Sequence, residues 1–243
     1  RKMRKLYIIL LLLSFTLLSI FAVDDATKEF DTPLYRELEH GIKSNEDMVT
    51  VTSLFNGYMD SSLSTFEKAR AENLYLRYLL DNGEKEEAEK HLDKENEYYS
   101  AILDEDVPEV LKRIAELDYS SAKTYIDGNL SNGLENSNLT KKAVKDYPEE
   151  AFFIITDGWR LIYTPQIAGG SNKNAIKNLE PLLESLEELS LSNVYSLYGA
   201  LAMAHYNRKD YDKGREYLDR AFDIHYGEPA LLELDENLRK KMK

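Results

Sequence analysis

The most constraining feature of this sequence is a pair of helix-period patterns joined by a short turn near the carboxyl end. Its apolar and small residues lie one, three or four positions apart: Tyr198, Leu201, Ala202 and His205, then Gly214, Leu218 and Ala221. Such spacings place the side chains of each segment on one face of an α-helix. Between the two segments, Lys209–Tyr211 has the length of a tight turn. Because Ala202 and Gly214 are small, two antiparallel helices can approach closely, and the segment predicts a helical hairpin.

These positions resemble the consensus of the tetratricopeptide repeat (TPR), in which large and small residues recur along two short helices. Residues 195–228 form one such unit and residues 156–191 form a second. The resemblance assigns structural repeat positions to six residues: Trp159, Ala175, Tyr198, Leu201, Gly214 and Ala221. The sequence departs from the family at Tyr226, which stands where a closing proline is usual.

The resemblance implies an all-α fold, a TPR-like solenoid of antiparallel helix pairs. Weaker units extend upstream to Glu67, and residues 26–60 predict two further helices as an amino-terminal extension. At the other end, Pro229 can begin a capping helix from Ala230 to Lys241. Helix breakers are sparse, with 11 glycines and 6 prolines among 243 residues. We therefore expect residues 24–243 to form a single all-helical domain.

Residues 1–23 differ in character from the rest of the chain. Four basic residues among the first five precede an apolar run from Leu6 to Val23. This pattern is typical of a secretory signal peptide, and Ala22 supplies the small residue that a signal peptidase needs. The run is also about long enough to span a membrane, so an uncleaved anchor is the alternative. Both interpretations predict an exported protein of the periplasm or cell envelope, attached to the membrane only if the signal is retained.

Net charge limits the partners that we expect. The chain carries a net charge of −13, which becomes −17 when the four basic residues of the signal are removed. Nucleic acid is not an expected partner, because binding a phosphate backbone requires a basic stripe. Basic protein surfaces match an acidic body better. The chain has no cysteine, so we expect no disulfide framework, no thiolate catalysis and no lipid-modified cysteine.

Motifs for catalysis are missing from the sequence: it has no Walker loop, dinucleotide fingerprint, nucleophile elbow or zinc-protease pair. The segment Asp127–Asn138 has oxygen-bearing residues at alternate positions, as in an EF-hand. However, Asn132 and Asn138 stand where that loop needs glycine and glutamate. Gly169–Ser171 predicts an interhelix turn, with an anion-binding helix terminus as the alternative. The sequence therefore predicts a protein that is not an enzyme and that has no cofactor and no metal ion.

The function expected from these observations is that of a protein-binding scaffold or adaptor in the bacterial cell envelope. In a solenoid of this type the inner face of each first helix forms a groove. The resemblance assigns that face to seven residues: Arg77, Asp157, Arg160, Ser196, Met203, Tyr206 and Asn207. Aromatic, basic and amide side chains of this kind suit another envelope protein or a peptide as the partner.

Three further hypotheses remain open at this point. The turn Thr164–Ser171 resembles one found in small exported bacterial TPR proteins. Among such proteins, the chain loosely resembles the helical partner of solute-binding proteins in tripartite ATP-independent periplasmic transporters. This resemblance implies a transporter-associated binding component. It is also compatible with a homo-oligomer. A second alternative is a periplasmic small-ligand carrier with a pocket between Trp159, Tyr163 and the Gly169–Gly170 turn. A third is an enzyme whose site assembles from scattered carboxylates.

Overall fold

The structure, a computed structural model, describes residues 23–242. The predicted signal or anchor at residues 1–23 lies outside them, apart from Val23. The described residues form an all-α protein in which the β-type pairing is a single isolated bridge between Asp24 and Glu150. Within this range there are eleven α-helices: α1 (Pro33–Lys43), α2 (Met48–Met59), α3 (Thr65–Asp81), α4 (Lys85–Asp104), α5 (Glu109–Asp127), α6 (Leu130–Asp146), α7 (Ala151–Tyr163), α8 (Asn172–Leu179), α9 (Leu191–Asn207), α10 (Tyr211–Phe222) and α11 (Pro229–Lys241).

Local sequence signals account for several helix boundaries. Helix α3 begins with a capping box, in which the Ser64 hydroxyl accepts from the Glu67 N–H and the Glu67 carboxylate accepts from the Ser64 N–H. The Asp47 side chain caps α2 by accepting hydrogen bonds from backbone N–H groups of its first turn. Pro229 occupies the first position of α11, where no N–H is needed for the helix. These caps satisfy backbone groups that the helix ends would otherwise leave unpaired.

The chain distorts after α8, as Pro181 predicts. A proline inside a helix removes one N–H donor and crowds the preceding turn. Accordingly α8, capped by Ser171, ends at Leu179, and a 3₁₀ segment, Glu180–Glu188, follows it. Two shorter 3₁₀ segments lie at Lys28–Phe30 and Gln166–Ala168.

Every pair of helices consecutive in sequence packs together, from α1–α2 to α10–α11. The closest associations are α3 with α4 and α9 with α10. Alternate helices also pack at α3–α5 and α7–α9, whereas α5 and α7 share little contact. The described helices therefore form two blocks, α1–α6 and α7–α11, which meet through α6 and α7.

Buried apolar side chains form three clusters that follow this division. One belongs to the carboxyl-terminal block and contains the fully buried Leu197 and Leu218. A second lies in the amino-terminal block around Tyr58 and Leu76. The third places Phe153 of α7 among residues of α3–α6 and so joins the blocks. Each fully buried side chain of this size contributes about 1.5–3 kcal/mol of hydrophobic free energy.

Candidate functional site

Residues 24–45, which we call the amino-terminal strap, lie against the first helices of the successive pairs. The buried Asp25 carboxylate fixes one end of the strap at the amino terminus of α9. It accepts hydrogen bonds from the Ser190 N–H at 2.7 Å and the Asn193 side-chain amide at 2.8 Å. Within the strap it also accepts from the Thr27 N–H at 2.9 Å. A helix amino terminus suits this carboxylate, because unpaired N–H groups and the positive end of the helix dipole converge there.

Backbone pairing attaches the same end of the strap to α7. The Asp24 N–H donates to the Glu149 carbonyl at 2.9 Å, and the Ala151 N–H donates to the Asp24 carbonyl at 2.8 Å. The Glu150 carboxylate accepts from the Ala26 N–H at 3.1 Å. Burial raises the pKa of Glu150 to about 7. The strap is thus held as an extended peptide would be, through its main chain as well as its side chains.

Helix α1 forms the rest of the strap and buries Tyr35 and Leu38. Arg70 of α3 lies beneath it, with its guanidinium 5.8 Å from the ring centre of Tyr35 and 5.6 Å from that of Phe152. Arg70 also pairs with Asp118 of α5 at 3.4 Å. Burial raises the pKa of Asp118 in spite of this cation. Aromatic and cationic contacts therefore link the strap to α3 and α7.

The carboxyl end of α1 meets the loop that precedes α11. The Nδ1 atoms of His40 and His225 lie 3.1 Å apart, and Lys43 pairs with Glu228 at 3.2 Å. Gly227 lies so close to the C-cap carbonyl of α1 that a Cβ would stand 2.3 Å from its oxygen. Burial, then the neighbouring His40 and Lys43, lowers the pKa of His225 to about 4. The strap is therefore fixed at both ends.

An opening of about 150 Å³ remains beside the strap, between α3, α5 and the start of α11. Arg77 lines it, with its guanidinium 4.8 Å from the Tyr125 ring centre and bonded to the Ser121 hydroxyl at 3.2 Å. Among the described residues, the buried Nε of Arg77 has no hydrogen-bond partner. Asp81 and Glu228 line the same opening, and burial followed by the Glu228 charge raises the pKa of Asp81. The opening therefore combines an aromatic ring with charges of both signs.

Two exposed tyrosines border this region, at the carboxyl ends of α5 and α7. Tyr125 is 61% exposed and Tyr163 is 63% exposed. Burial of part of the Tyr163 side chain, then the proximity of Tyr125, raises the pKa of Tyr163. Tyr163 stacks on Trp159 at 5.6 Å, and the Trp159 indole N–H donates to Ser196 at 2.9 Å. We call Tyr125 and Tyr163 the tyrosine edge.

The residues predicted for the inner face make different contacts in the structure. Arg77 lines the opening, whereas Asp157 and Arg160 pair with each other at 2.7 Å within α7. Both side chains of that pair are largely buried. Among the described residues, no hydrogen bond or ion pair connects Arg77 with this pair.

The three predicted inner-face residues at the end of α9 contact other parts of the carboxyl-terminal block. Met203 and Tyr206 pack against its apolar cluster. Asn207 donates a hydrogen bond to the Asn172 side chain at the start of α8, at 3.2 Å. The contacts of these three residues are with their own block. Arg77 is the predicted inner-face residue that lines the opening.

The six predicted repeat positions all lie in the carboxyl-terminal block. Ala175, Leu201 and Ala221 are completely buried, Tyr198 is nearly so, and Trp159 is half-buried. At Gly214 a Cβ would stand 3.3 Å from the backbone of α9, so glycine allows α10 to approach closely.

Sequence reasoning missed the strap. Asp25 lies just beyond the predicted cleavage site and belongs to no sequence motif, and the same is true of Asn193 in α9. The available signal was Ser190, which caps α9 through the Asn193 N–H, since a capped helix terminus is a site for a carboxylate. Nothing in the spacing of the residues shows which carboxylate occupies it, because Asp25 and Ser190 are 165 residues apart.

Among residues 23–242, no three His, Cys, Asp or Glu side chains are arranged to hold a metal ion. In the same part of the chain, none of the helices has the length and apolar character needed to cross a membrane. No protein-family model, curated protein or solved structure matches the chain. The functional proposal therefore depends on the residues of this chain alone.

Proposed function

We propose that this protein is a protein-binding scaffold of TPR-like helix pairs that acts in the bacterial cell envelope. The observation that supports it is the way in which the strap is held. Helix termini, backbone pairing and aromatic contacts bind a peptide segment to α3, α7 and α9. A surface with these groups has the chemistry needed to bind polypeptide.

The partner contacts the part of this surface that the strap leaves uncovered. Arg77 lies at the opening, and the tyrosine edge adds exposed aromatic area beside it. Arginine and tyrosine are enriched among residues that dominate binding energy at protein interfaces. The acidic body of the chain favours a partner with a basic surface around its contact residues.

The TPR-like part of the proposal comes from the order of contacts. Four helix pairs follow one another, α3–α4, α5–α6, α7–α8 and α9–α10, and each packs on the next. Helix α11 then covers the last pair, and α1–α2 form the amino-terminal extension. The envelope location is proposed from the pattern of residues 1–23 alone.

The opening beside Arg77 supports a small-ligand carrier less well than it supports a scaffold. Pockets for small molecules usually enclose about 300–1,000 Å³. The opening beside Arg77 has about half the smaller volume, and neither Trp159 nor Gly169–Gly170 lines it. A side chain of a protein partner fits a space of this size better than a whole solute does.

The proposal can be tested by site-specific photo-crosslinking in intact cells of the source organism. A benzophenone amino acid replaces Tyr125 in one variant and Leu103 in the control. Leu103, at the far end of α4, is also exposed, at 47%, and lies outside the opening. We expect a distinct protein adduct at position 125, identified by mass spectrometry, and a reduced yield of that adduct when Arg77→Ala is added.

Two results would contradict the scaffold proposal. One is the same set of adducts at positions 125 and 103, which would indicate random collisions. The other is the absence of any protein adduct at position 125 while the variant accumulates normally. Fractionation of the same cells tests the envelope location separately, because recovery of the protein in the cytoplasm would contradict export.

A further inference from the structure

Two histidines join the carboxyl end of the strap to the loop that precedes α11. The rings of His40 and His225 have centres 5.3 Å apart, and their Nδ1 atoms are 3.1 Å apart. His40 lies on the surface, whereas His225 is buried. A hydrogen bond between the two Nδ1 atoms requires a proton on one of them and a free electron pair on the other. The contact therefore exists when one imidazole or neither is charged, and it is lost when both are.

The other nitrogen of the His225 ring, the buried Nε2, has no hydrogen-bond partner in the described part of the chain. The Glu39 carboxylate is 4.0 Å from it, which is too far for a hydrogen bond. His40, in contrast, is in contact with water, and its Nδ1 atom is 3.4 Å from the Ser44 hydroxyl. A second proton on the pair therefore leaves a buried imidazolium at His225 without a hydrogen-bond acceptor, which is costly.

Neighbouring charges do not remove this cost. The Glu228 carboxylate, at the start of α11, is already bonded to Lys43 at 3.2 Å and to the Tyr195 hydroxyl at 2.7 Å. Burial, then the positive charges of His40 and Lys43, lowers the pKa of His225 to about 4 in spite of Glu228. The titratable and charged groups around the pair are Glu39, His40 and Lys43 of α1, Tyr195 of α9, Glu228 itself, and Arg77 and Asp81 of α3 beside Glu228.

From this geometry we propose that the His40–His225 contact is an acid-sensitive latch, which holds the strap against the loop before α11 and releases it when both imidazoles are charged. The segments that it joins also form two sides of the opening beside Arg77. One side is lined by Ile42, Lys43 and Asn45, and the other by Glu228, Pro229 and Ala230. Release of the latch therefore widens the opening. The effect on a partner rests on the proposed scaffold function, whereas the latch itself does not.

The pH range of the latch follows from His225. Its pKa is about 4 in the latched state and about 6.5 in an open, hydrated state, so the latched state binds fewer protons between these values. The latch is therefore at full strength above pH 6.5 and is lost as pH falls through 4. Glu39 acts in the opposite direction, because burial raises its pKa and protonation then favours the buried state. Since a variant of His40 retains Glu39, comparing it with the wild type isolates the histidine pair.

The latch can be tested by hydrogen–deuterium exchange of the purified wild type at pH 7, 5.5 and 4, with exchange times corrected for the intrinsic rate at each pH. We expect residues 40–46 and 223–228 to exchange at least about tenfold faster at pH 4 than at pH 7, because each unit of pKa difference changes the equilibrium tenfold. The buried core of α9, around Leu197 and Leu201, should keep its protection and serves as the internal reference.

The variant that isolates the histidine pair is His40→Asn. Its side-chain amide can donate to a neutral His225 or accept from a charged one, so the contact survives in acid. We expect this variant to lose most of the pH dependence. Glu37→Gln removes the charge of an exposed acid elsewhere on α1 and should behave as the wild type does. Unchanged exchange in the wild type, an equal acceleration in His40→Asn, or a loss of protection that also includes α9 would overturn the latch.

The link to partner binding is tested separately. Because exchange is measured on the purified protein alone, its result does not depend on whether the scaffold function is correct. We expect the adduct yield at position 125 to differ between pH 7 and pH 5, and to differ less in His40→Asn. An adduct that forms with the same yield at both pH values would contradict control of the opening by the latch.

Discussion

The helix pairs α3–α4 and α9–α10 are the two most closely associated pairs, but they have different interiors. Between α3 and α4 lies a buried polar network, in which His91 bonds to Glu72 and the Asn73 side chain donates to Glu95 at 2.9 Å. The His91 ring is enclosed edge-on by Tyr75, with the ring centres 4.8 Å apart. Burial raises the pKa of Glu95 to about 8, so this carboxyl is largely protonated at neutral pH.

The interior of α9–α10 is mainly apolar and is made of small residues. Ala202, Leu218 and Ala221 are completely buried, and Gly214 brings the two backbones together. His205 is a buried polar side chain of this interior. Its Nδ1 atom forms a hydrogen bond with the Asp210 carboxylate, at 3.1 Å, in the turn between the two helices. One helix-pair geometry can thus be combined with a mainly apolar interior or with a buried polar network. The two should respond differently to mutation and to pH.

The largest expected difference concerns leucine truncation. Leu218→Ala removes a completely buried side chain from the last pair and should lower the free energy of unfolding by about 3 kcal/mol. Leu92→Ala, at the half-buried leucine of α4, should cost about half as much. Urea denaturation of both purified variants measures the difference. Equal losses would show that the two interiors depend on apolar packing to the same extent.

A second difference concerns pH. The pKa of Glu95 is near 8 in the folded protein and near 4.5 in the unfolded chain, so between these values the folded state binds more protons. The contribution of Glu95 to stability is therefore complete below about pH 4.5 and is lost as pH rises through 8. We expect Glu95→Gln to keep the bond with Asn73 and to remove this loss of stability with rising pH.

The Glu95 prediction is checked by thermal unfolding of the wild type and Glu95→Gln at pH 5, 6.5 and 8. The difference between the two proteins should grow with pH in favour of the variant. Leu218→Ala provides the control, because it lies in the apolar pair and should lower stability by a similar amount at each pH. A constant difference between Glu95→Gln and the wild type would mean that Glu95 is ionised in the folded state.

The smallest expected effect concerns helix caps. Ser64 closes a capping box at the start of α3, so Ser64→Ala should cost about 1 kcal/mol, whereas Ser64→Asp should be nearly neutral. At the start of α10, the Asp210 side chain makes no capping bond, and Asp210→Ala should cost less. Urea midpoints of the three variants test this order. A larger loss for Asp210→Ala would indicate that its bond to His205 matters more than the cap.

The same contrast explains how much of the fold could be predicted. The all-α class, a turn at Lys209–Asp210, the helix from Pro229 and the break at Pro181 depend on local spacing and backbone chemistry, and the structure confirms them. Tyr211, which was predicted to belong to the turn, is instead the first residue of α10. The pair α3–α4 fitted the consensus poorly because polar residues such as Glu72 and Glu95 stand at interior positions. Whether the pairs form a TPR-like solenoid remains a prediction.

The candidate site was predictable only in part. Arg77 was proposed from helical register and lines the opening, but the strap that covers the neighbouring surface was not foreseen. Its attachment depends on Asp25 meeting Ser190 and on His40 meeting His225. Contacts between residues so far apart in sequence follow from the path of the whole chain, and residue spacing in one segment carries no information about them.

The attachment of the strap also affects the order in which the molecule can be assembled. Its end contacts join residues 165 and 185 positions apart, so both close long loops and carry the entropic cost of doing so. The ribosome synthesises the strap before the helices to which it is attached. Each helix pair, in contrast, packs mainly on the pair next to it in sequence. Successive pairs can therefore form during synthesis, and the first described residues to be made are among the last to reach their native positions.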